Sequence, residues 1–294
     1  PLPALASECP GWVCYAEKTH GAYILPHLME VKSAQGATGA LVKRRLAARL
    51  GVPPSQVYHC AVMPCYDKKL EAARDDLVAG DGVPEVDCVL ATEELQSLLQ
   101  ERGCHLPGVG PAALDRLVED AEAGPLHAPE GSSGGYLHFV LREAARELFG
   151  LELDAGPLPL RPVRGSQDFQ EVELAGPDGK VLLRFALAYG FKNIQNVVRR
   201  VKQGRLDYHF VEVMACPSGC LNGGGQLKAA EPLHQKELVA SLERVFQEGT
   251  RQGRHPLANP AARAAHEQWL GGPGSEAARG VLRMGFQARE KPAA

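Results

Sequence analysis

The stretch Val211-Glu212-Val213-Met214-Ala215-Cys216-Pro217-Ser218-Gly219-Cys220-Leu221-Asn222-Gly223-Gly224-Gly225-Gln226 decides how the rest of the chain is read. The apolar run Phe210, Val211, Val213 and Met214 predicts a buried strand. It stops at Cys216 and Cys220, where Pro217 and Gly219 force a turn that lets both sulfurs point to one side of the backbone. Gly223 to Gly225 let the backbone come close to something bulky. Strand, paired thiols and glycine collar describe half of a metal or cluster cradle, and a pair supplies only two ligands.

The same arrangement recurs upstream. Val57 to Met63 predicts another buried strand, ending at Pro64-Cys65 and followed by a helix from Tyr66-Asp67-Lys68. A cysteine at the carboxyl end of a strand sits where open α/β sheets bind their ligands. Cys9 lies just ahead of the turn Pro10-Gly11 and a helical stretch containing Val13, Ala16 and Glu17. A helix N-terminus there favours a thiolate.

Other elements fill in around these. A helix is predicted over 37–50, with Leu41, Val42, Leu46 and Leu50 inward and Lys43, Arg44, Arg45 and Arg49 outward, a solvated basic face rather than a nucleic-acid contact. Asp87 to Ala91 reads as a strand, with Thr92 capping a helix over 93–101. Residues 105–135 are rich in Pro, Gly and Ser and read as an exposed loop, loosest over 127–135. An amphipathic helix follows over 136–149, then a hairpin of strands at 169–172 and 181–188 around Pro177-Asp178-Gly179. A helix over 193–201 leads to the strand at 208–214. Beyond residue 245 the chain turns rich in Ala, Arg and Gly, with helical stretches near 261–270 and 275–286, Trp269 and Phe286 as apolar anchors, and a frayed end at 290–294.

With 294 residues, 45% hydrophobic and 23% charged, at net charge −3, the composition is that of an ordinary soluble protein. No basic excess argues for nucleic acid, and no apolar run is long enough to argue for a membrane span. Eight cysteines without a signal peptide favour cytosol or nucleus, where thiols stay reduced and clustered cysteines bind metal. The chain begins at Pro1 without an initiator methionine and is read as a piece whose upstream part is missing. Strands alternating with helices make the fold class α/β with largely parallel sheets.

Cys9, Cys65, Cys216 and Cys220 stand beside Pro or Gly at element ends, whereas Cys14, Cys60, Cys88 and Cys104 fall inside elements and are read as core packing. Four thiolates at strand ends suit Zn²⁺ or an iron–sulfur cluster, and composition does not choose between them.

Cys9-Pro10-Gly11-Trp12, Met63-Pro64-Cys65 followed by Lys68 and Glu71, and Met214-Ala215-Cys216-Pro217-Ser218-Gly219-Cys220 with Asn222 to Gln226 resemble the three signatures of the iron-only ([FeFe]) hydrogenases, in the family's order. Asp87 to Leu90, Ala188 to Asn193 and Tyr208 to Val213 extend the likeness, which covers most of residues 5–290. Within that superfamily the chain is similar to the eukaryotic iron-only hydrogenase-like proteins: cytosolic iron–sulfur assembly factors and their relative, the nuclear prelamin A recognition factor. Cys14-Tyr15-Ala16-Glu17-Lys18-Thr19-His20 and Cys65-Tyr66-Asp67-Lys68-Lys69-Leu70-Glu71 carry that closer likeness.

The resemblance implies a [4Fe–4S] cluster held by Cys9, Cys65, Cys216 and Cys220, with Met63, Lys68 and Met214 around it. In hydrogenases the cysteine matching Cys220 also bridges a two-iron subcluster, and the lysine matching Lys68 hydrogen-bonds a cyanide of it. Glu8 stands where hydrogenases carry a proton-relaying cysteine, so no catalytic residue and no hydrogenase activity are expected. The resemblance further implies two α/β lobes, a hydrogenase large-subunit-like part over 1–244 and a small-subunit-like helical extension over 245–294. It implies a place in cytosolic iron–sulfur protein assembly, between the cluster scaffold and the targeting complex that matures client apoproteins. It allows a second cluster in the upstream region, with prelamin A binding or hydrogenase chemistry as alternatives.

Overall fold

The computed structural model describes residues 1–112, 133–154, 157–249 and 256–289. Its strands are β1 Ala4–Ala6, β2 Cys60–Met63, β3 Cys88–Ala91, β4 Arg161–Val163, β5 Ser166–Ala175, β6 Val181–Tyr189 and β7 Phe210–Met214. The main sheet runs β1-β7-β6-β5-β4, and β2 pairs with β3 in a second sheet. β1 and β6 flank β7 and both run parallel to it, as β2 does to β3. Among the described strands, those of the β4-β5-β6 ribbon pair antiparallel. The expected α/β fold is therefore observed.

Both faces of the main sheet are covered. On β6, Leu183, Phe185 and Leu187 pack against Leu137, Leu141 and Ala145 of the helix Tyr136–Phe149. Ala186 and Ala188 turn to the other face, towards Trp12 and Val13 of the helix Pro10–Tyr15 and Ile194, Val197 and Val198 of the helix Phe191–Lys202. Burial on both faces explains why β6 and β7 read as near-continuous apolar runs. Every residue of β7 is buried, including Glu212.

Several expectations need correction. The segment over 57–63 is not a buried strand: only 60–63 pair, and Cys60 and Val62 face solvent. Of the four cysteines read as core, Cys60 is exposed and Cys14, Cys88 and Cys104 are half-buried. The helix after β3 starts at Thr92, so Ala91 is its cap, with its N–H held by the Glu94 carboxylate at 2.8 Å.

The basic face over 37–50 is also not wholly outward. Lys43 is fully buried and pairs with Asp87 at 2.7 Å, and Arg44 reaches the buried Glu85 at 3.3 Å. The cause is a wide turn: Leu41–Leu46 is π-helical between Ala34–Ala40 and Ala47–Leu50, which rotates side chains away from a 3.6-residue wheel.

β1, β4, the short helix Gly21–Ile24 and the helix Gln235–Gly249, which runs through position 244, are among the elements without a counterpart in the sequence reading. Beyond it, helices span Pro260–Gln268 and Glu276–Leu282, and Leu270 and Met284 are buried. Phe286 packs on the main core, whereas Trp269 is only half-buried. Residues 113–132, expected to be loop, and 290–294, expected to be frayed, lie outside the described residues.

Candidate metal centre

Parallel pairing decides where the cysteines emerge. Cys9 stands three residues past the end of β1, and Cys216 two past the end of β7. Because β1 and β7 are parallel neighbours, both leave the same edge of the main sheet. Cys65 stands two residues past β2, at the matching end of the second sheet. The two edges are tied together. Gly225 N donates to Pro64 O at 3.0 Å, Glu93 N donates to Gly225 O at 3.1 Å, and Lys68 Nζ donates to Glu8 O at 2.7 Å.

The four sulfurs consequently share one neighbourhood. The pairs Cys9–Cys65, Cys9–Cys216, Cys65–Cys216, Cys9–Cys220 and Cys65–Cys220 all repel one another when charged. Backbone N–H groups are aimed at three of them: Ala215 N lies 3.4 Å from Cys9 Sγ, Lys68 N bonds Cys65 and Gly224 N bonds Cys216. Such donors favour a thiolate. Burial opposes them and wins: it pushes Cys9 up to about 11 and raises Cys65, Cys216 and Cys220. The dipole of the short helix after Cys9 therefore does not set its ionisation. Donors already aimed at sulfurs that burial keeps protonated are the environment of a positively charged ligand.

The glycine collar lets the backbone after Cys220 close on the turn that bears Cys65. A Cβ on Gly223 would run into the Pro64 carbonyl oxygen, and one on Gly225 would lie 2.7 Å from Ala91 Cβ and 3.3 Å from Cys65 Cα. Gly219 has φ +73° and presses on Ser133. Among the described residues no three His, Cys, Asp or Glu side chains converge closely enough to hold a single ion. A tetrahedral zinc site needs thiolates about 2.3 Å from one metal. Four thiols at the facing edges of two sheets, with backbone donors aimed at three of them, fit an iron–sulfur cluster held by thiolates.

The surrounding residues are polar and ordered. Lys68 is buried and donates to Glu71 at 2.9 Å, while the Ser33 hydroxyl donates to the same carboxylate. Burial pulls the Lys68 pKa down, but the Glu71 and Glu8 carboxylates outweigh it and the net shift is upward. Lys68 thus remains a cation within reach of Cys65 and Cys220. Glu8 accepts from Gly134 N at 2.9 Å and sits 3.9 Å from Cys220 Sγ. Met214 is buried against Gly134, where an added Cβ would meet its Cε at 2.6 Å. Met63 is half-buried and packs with Ala61 and Val89 of the small sheet and with Val86 ahead of β3.

Ser133 and Gly134 belong to a stretch expected to be exposed, yet Ser133 is buried and its hydroxyl accepts from Cys220 N at 2.6 Å. Glu212 accepts from Leu137 N at 2.8 Å and from the Tyr189 hydroxyl at 3.0 Å, and burial raises its pKa to about 7. The charge of Glu212 inside an apolar strand was its sequence signal; Ser133 had none.

The fold and this edge define a class. The family model of the iron-only hydrogenase large subunit, C-terminal domain, matches residues 1–224, and the chain belongs to that family. An apo form of the [FeFe]-hydrogenase HydA1 of Chlamydomonas reinhardtii superposes with a TM-score of 0.84 at 29% identity, covering 98% of this chain and 77% of that one. Among characterised relatives, Protein NAR1 of Arabidopsis thaliana is 48% identical over 291 residues, 96% of this chain and 61% of that protein. Cytosolic iron-sulfur assembly component 3 of Pongo abelii is 49% identical over 292 residues, 99% of this chain and 60% of its own. Cytosolic Fe-S cluster assembly factor narfl of Danio rerio is 46% identical over 297 residues, covering 99% and 70%. The chain thus spans about three fifths of the length of the first two.

Proposed function

We propose that the chain is the core of a non-catalytic [4Fe–4S] protein of cytosolic iron–sulfur protein assembly, working in the cytoplasm. Cys9, Cys65, Cys216 and Cys220 would hold the cluster, which would supply a redox-active, oxygen-sensitive group whose occupancy reports on assembly. The observation that carries the reading is the arrival of these four cysteines at the facing edges of two sheets, with backbone N–H donors already aimed at three of the sulfurs. The names borne by the relatives point to assembly rather than hydrogen chemistry.

The chain's own residues have separable tasks. Gly223 and Gly225 let the Cys220 turn pack directly on the Pro64–Cys65 turn. Lys68 offsets negative charge and fastens the Cys65 turn to the Cys9 turn. Glu8, held by Gly134 N beside Cys220, places a carboxylate where the hydrogenase reading needs a thiol to relay protons. The same reading divides the chain into a large-subunit-like part, 1–244, and a small-subunit-like extension, 245–294. It names the cluster-targeting complex and its client apoproteins as partners.

Anaerobic purification of the full-length protein, with iron and sulfide quantified beside visible and paramagnetic resonance spectra, tests the centre. About four irons attributable to this domain are expected, lost on Cys65→Ala or Cys220→Ala. Zinc, or no metal, would overturn the ligand assignment. The likeness to a solved hydrogenase keeps enzyme chemistry as the second reading. Hydrogen uptake with an artificial acceptor from anaerobically matured protein would replace the first reading by it.

A further inference from the structure

β2 and β3 place two more thiols side by side. Cys60 and Cys88 are register partners across the parallel pair, as are Ala61 and Val89 one position on. Partners on adjacent strands project to the same face, and the strands stand about 4.8 Å apart. Disulfides join Cα atoms separated by about 4.4–6.8 Å. Ala61 and Val89 point into the small core, so Cys60 and Cys88 occupy the opposite face. Cys60 is exposed and Cys88 half-buried, and both are free thiols. The Cys60 thiol is hydrogen-bonded to Cys88, which the hydroxyl of the exposed Tyr58 also reaches.

We propose that Cys60 and Cys88 form a second thiol site, distinct from the four-cysteine cradle, that closes to a cross-strand disulfide on meeting a small organic disulfide. The thiolate of Cys60, the accessible partner, attacks one sulfur of the reagent and expels the other as a thiolate. The Cys88 thiolate then attacks Cys60 Sγ of the mixed disulfide and expels the second reagent thiolate. The protein loses two protons and two electrons, and the reagent gains them as two thiols. The inference does not depend on the cluster reading. Its structural consequence is local: the bond would pin β2, the strand that leads into Cys65, to β3.

The test uses the full-length, cluster-loaded protein, treated anaerobically with oxidised glutathione, alkylated and digested with trypsin. Cleavage after Arg49 and Lys68 leaves Cys60 and Cys65 in one peptide, and cleavage after Arg74 and Arg102 leaves Cys88 alone in another. The expected product is these two peptides joined with the loss of two hydrogens, reversible by dithiothreitol. It should vanish in Cys60→Ser and in Cys88→Ser, and fragmentation of the joined species should place the link at Cys60 rather than Cys65. A bond that survives Cys60→Ser, a stable glutathione adduct on Cys60 with no joined peptides, or protection of the pair by retained metal would each overturn the proposal. Cys60→Val, with apolar volume at the same exposed position, must also abolish the joined species, so the result does not rest on one variant's folding.

Discussion

Lys68 Nζ donates to the main-chain oxygen of Glu8 at 2.7 Å, so the turn bearing Cys65 is fastened to the turn bearing Cys9 by one buried cation. The same ammonium pairs with Glu71 at 2.9 Å, and both side chains are nearly inaccessible. Removing one partner of a buried pair leaves the other charge uncompensated, which destabilises by about 3–5 kcal/mol. Lys68→Met should therefore lower unfolding stability by that order in urea titrations of the apo protein. Lys68→Met with Glu71→Gln should recover part of it. A loss below about 1 kcal/mol for the single variant would mean that the pair behaves as a surface pair and holds nothing together.

The collar gives a prediction with an internal control. Gly223 has φ −61° and ψ 155°, a backbone any residue adopts, so its requirement is spatial. A Cβ there collides with Pro64 O, whereas one on Gly224 meets nothing within 4 Å. Overpacking of this kind destabilises by about 1–3 kcal/mol. Gly223→Ala should lower both the melting temperature and the iron retained per chain, while Gly224→Ala should match the unaltered protein in both. Equal iron contents in the two variants would remove the collar from the site.

What could be read in advance was whatever local chemistry dictates. The turn at Cys216–Cys220 follows from Pro217 and Gly219, the helix Tyr136–Phe149 from its apolar spacing, and the β5–β6 hairpin from Pro177-Asp178-Gly179. What escaped depends on partners far along the chain. β1 is three residues long and exists because it pairs with β7, its Leu5 opposite Val211. Lys43 looks like one more solvated cation until a π-turn swings it onto Asp87. Cys60 looks like core until its strand proves to have an open face. The site divides in the same way: its four cysteines stand at recognisable element ends, but Ser133 arrives from a Gly/Ser-rich loop with nothing to mark it.

Glu212 gives stability a dependence on pH. Burial raises its pKa from 4.5 to about 7, offset in part by bonds from Leu137 N, the Tyr189 hydroxyl and Gly135 N and reinforced by the Glu8 charge. Between those two values the folded state binds a proton that the unfolded state has released. Its contribution is therefore fully present below about 4.5 and is lost as pH rises to about 7. At about 1.4 kcal/mol per pH unit, the loss is about 3 kcal/mol. Urea midpoints of the apo protein between these limits should fall with pH, and Glu212→Gln should flatten that slope. A slope unchanged in the variant would assign the effect to other groups.

The C-terminal segment is held by a carboxylate from the opposite end of the chain. Glu17 is buried, accepts from both terminal nitrogens of Arg74 at 3.1 Å and also from Gln287 N at 3.1 Å. Arg74 in turn donates to Gly285 O at 2.9 Å and lies over the Phe286 ring at 5.8 Å. One ion pair therefore organises both the docking backbone and the aromatic anchor. Glu17→Ala leaves Arg74 with the more exposed Asp76 as its remaining counter-ion and Gln287 N without its acceptor, and a loss of about 3 kcal/mol is expected. The exposed pair between Glu30 and Arg283 ties down the same segment but stands in solvent. Glu30→Ala should change stability by less than about 1 kcal/mol. Limited trypsin digestion separates the two, because Arg283 and Arg289 flank the docked residues. Cleavage at these arginines should accelerate strongly in Glu17→Ala and little in Glu30→Ala. Equal rates in Glu17→Ala and the unaltered protein would show that Met284 and Phe286 hold the segment by apolar packing alone.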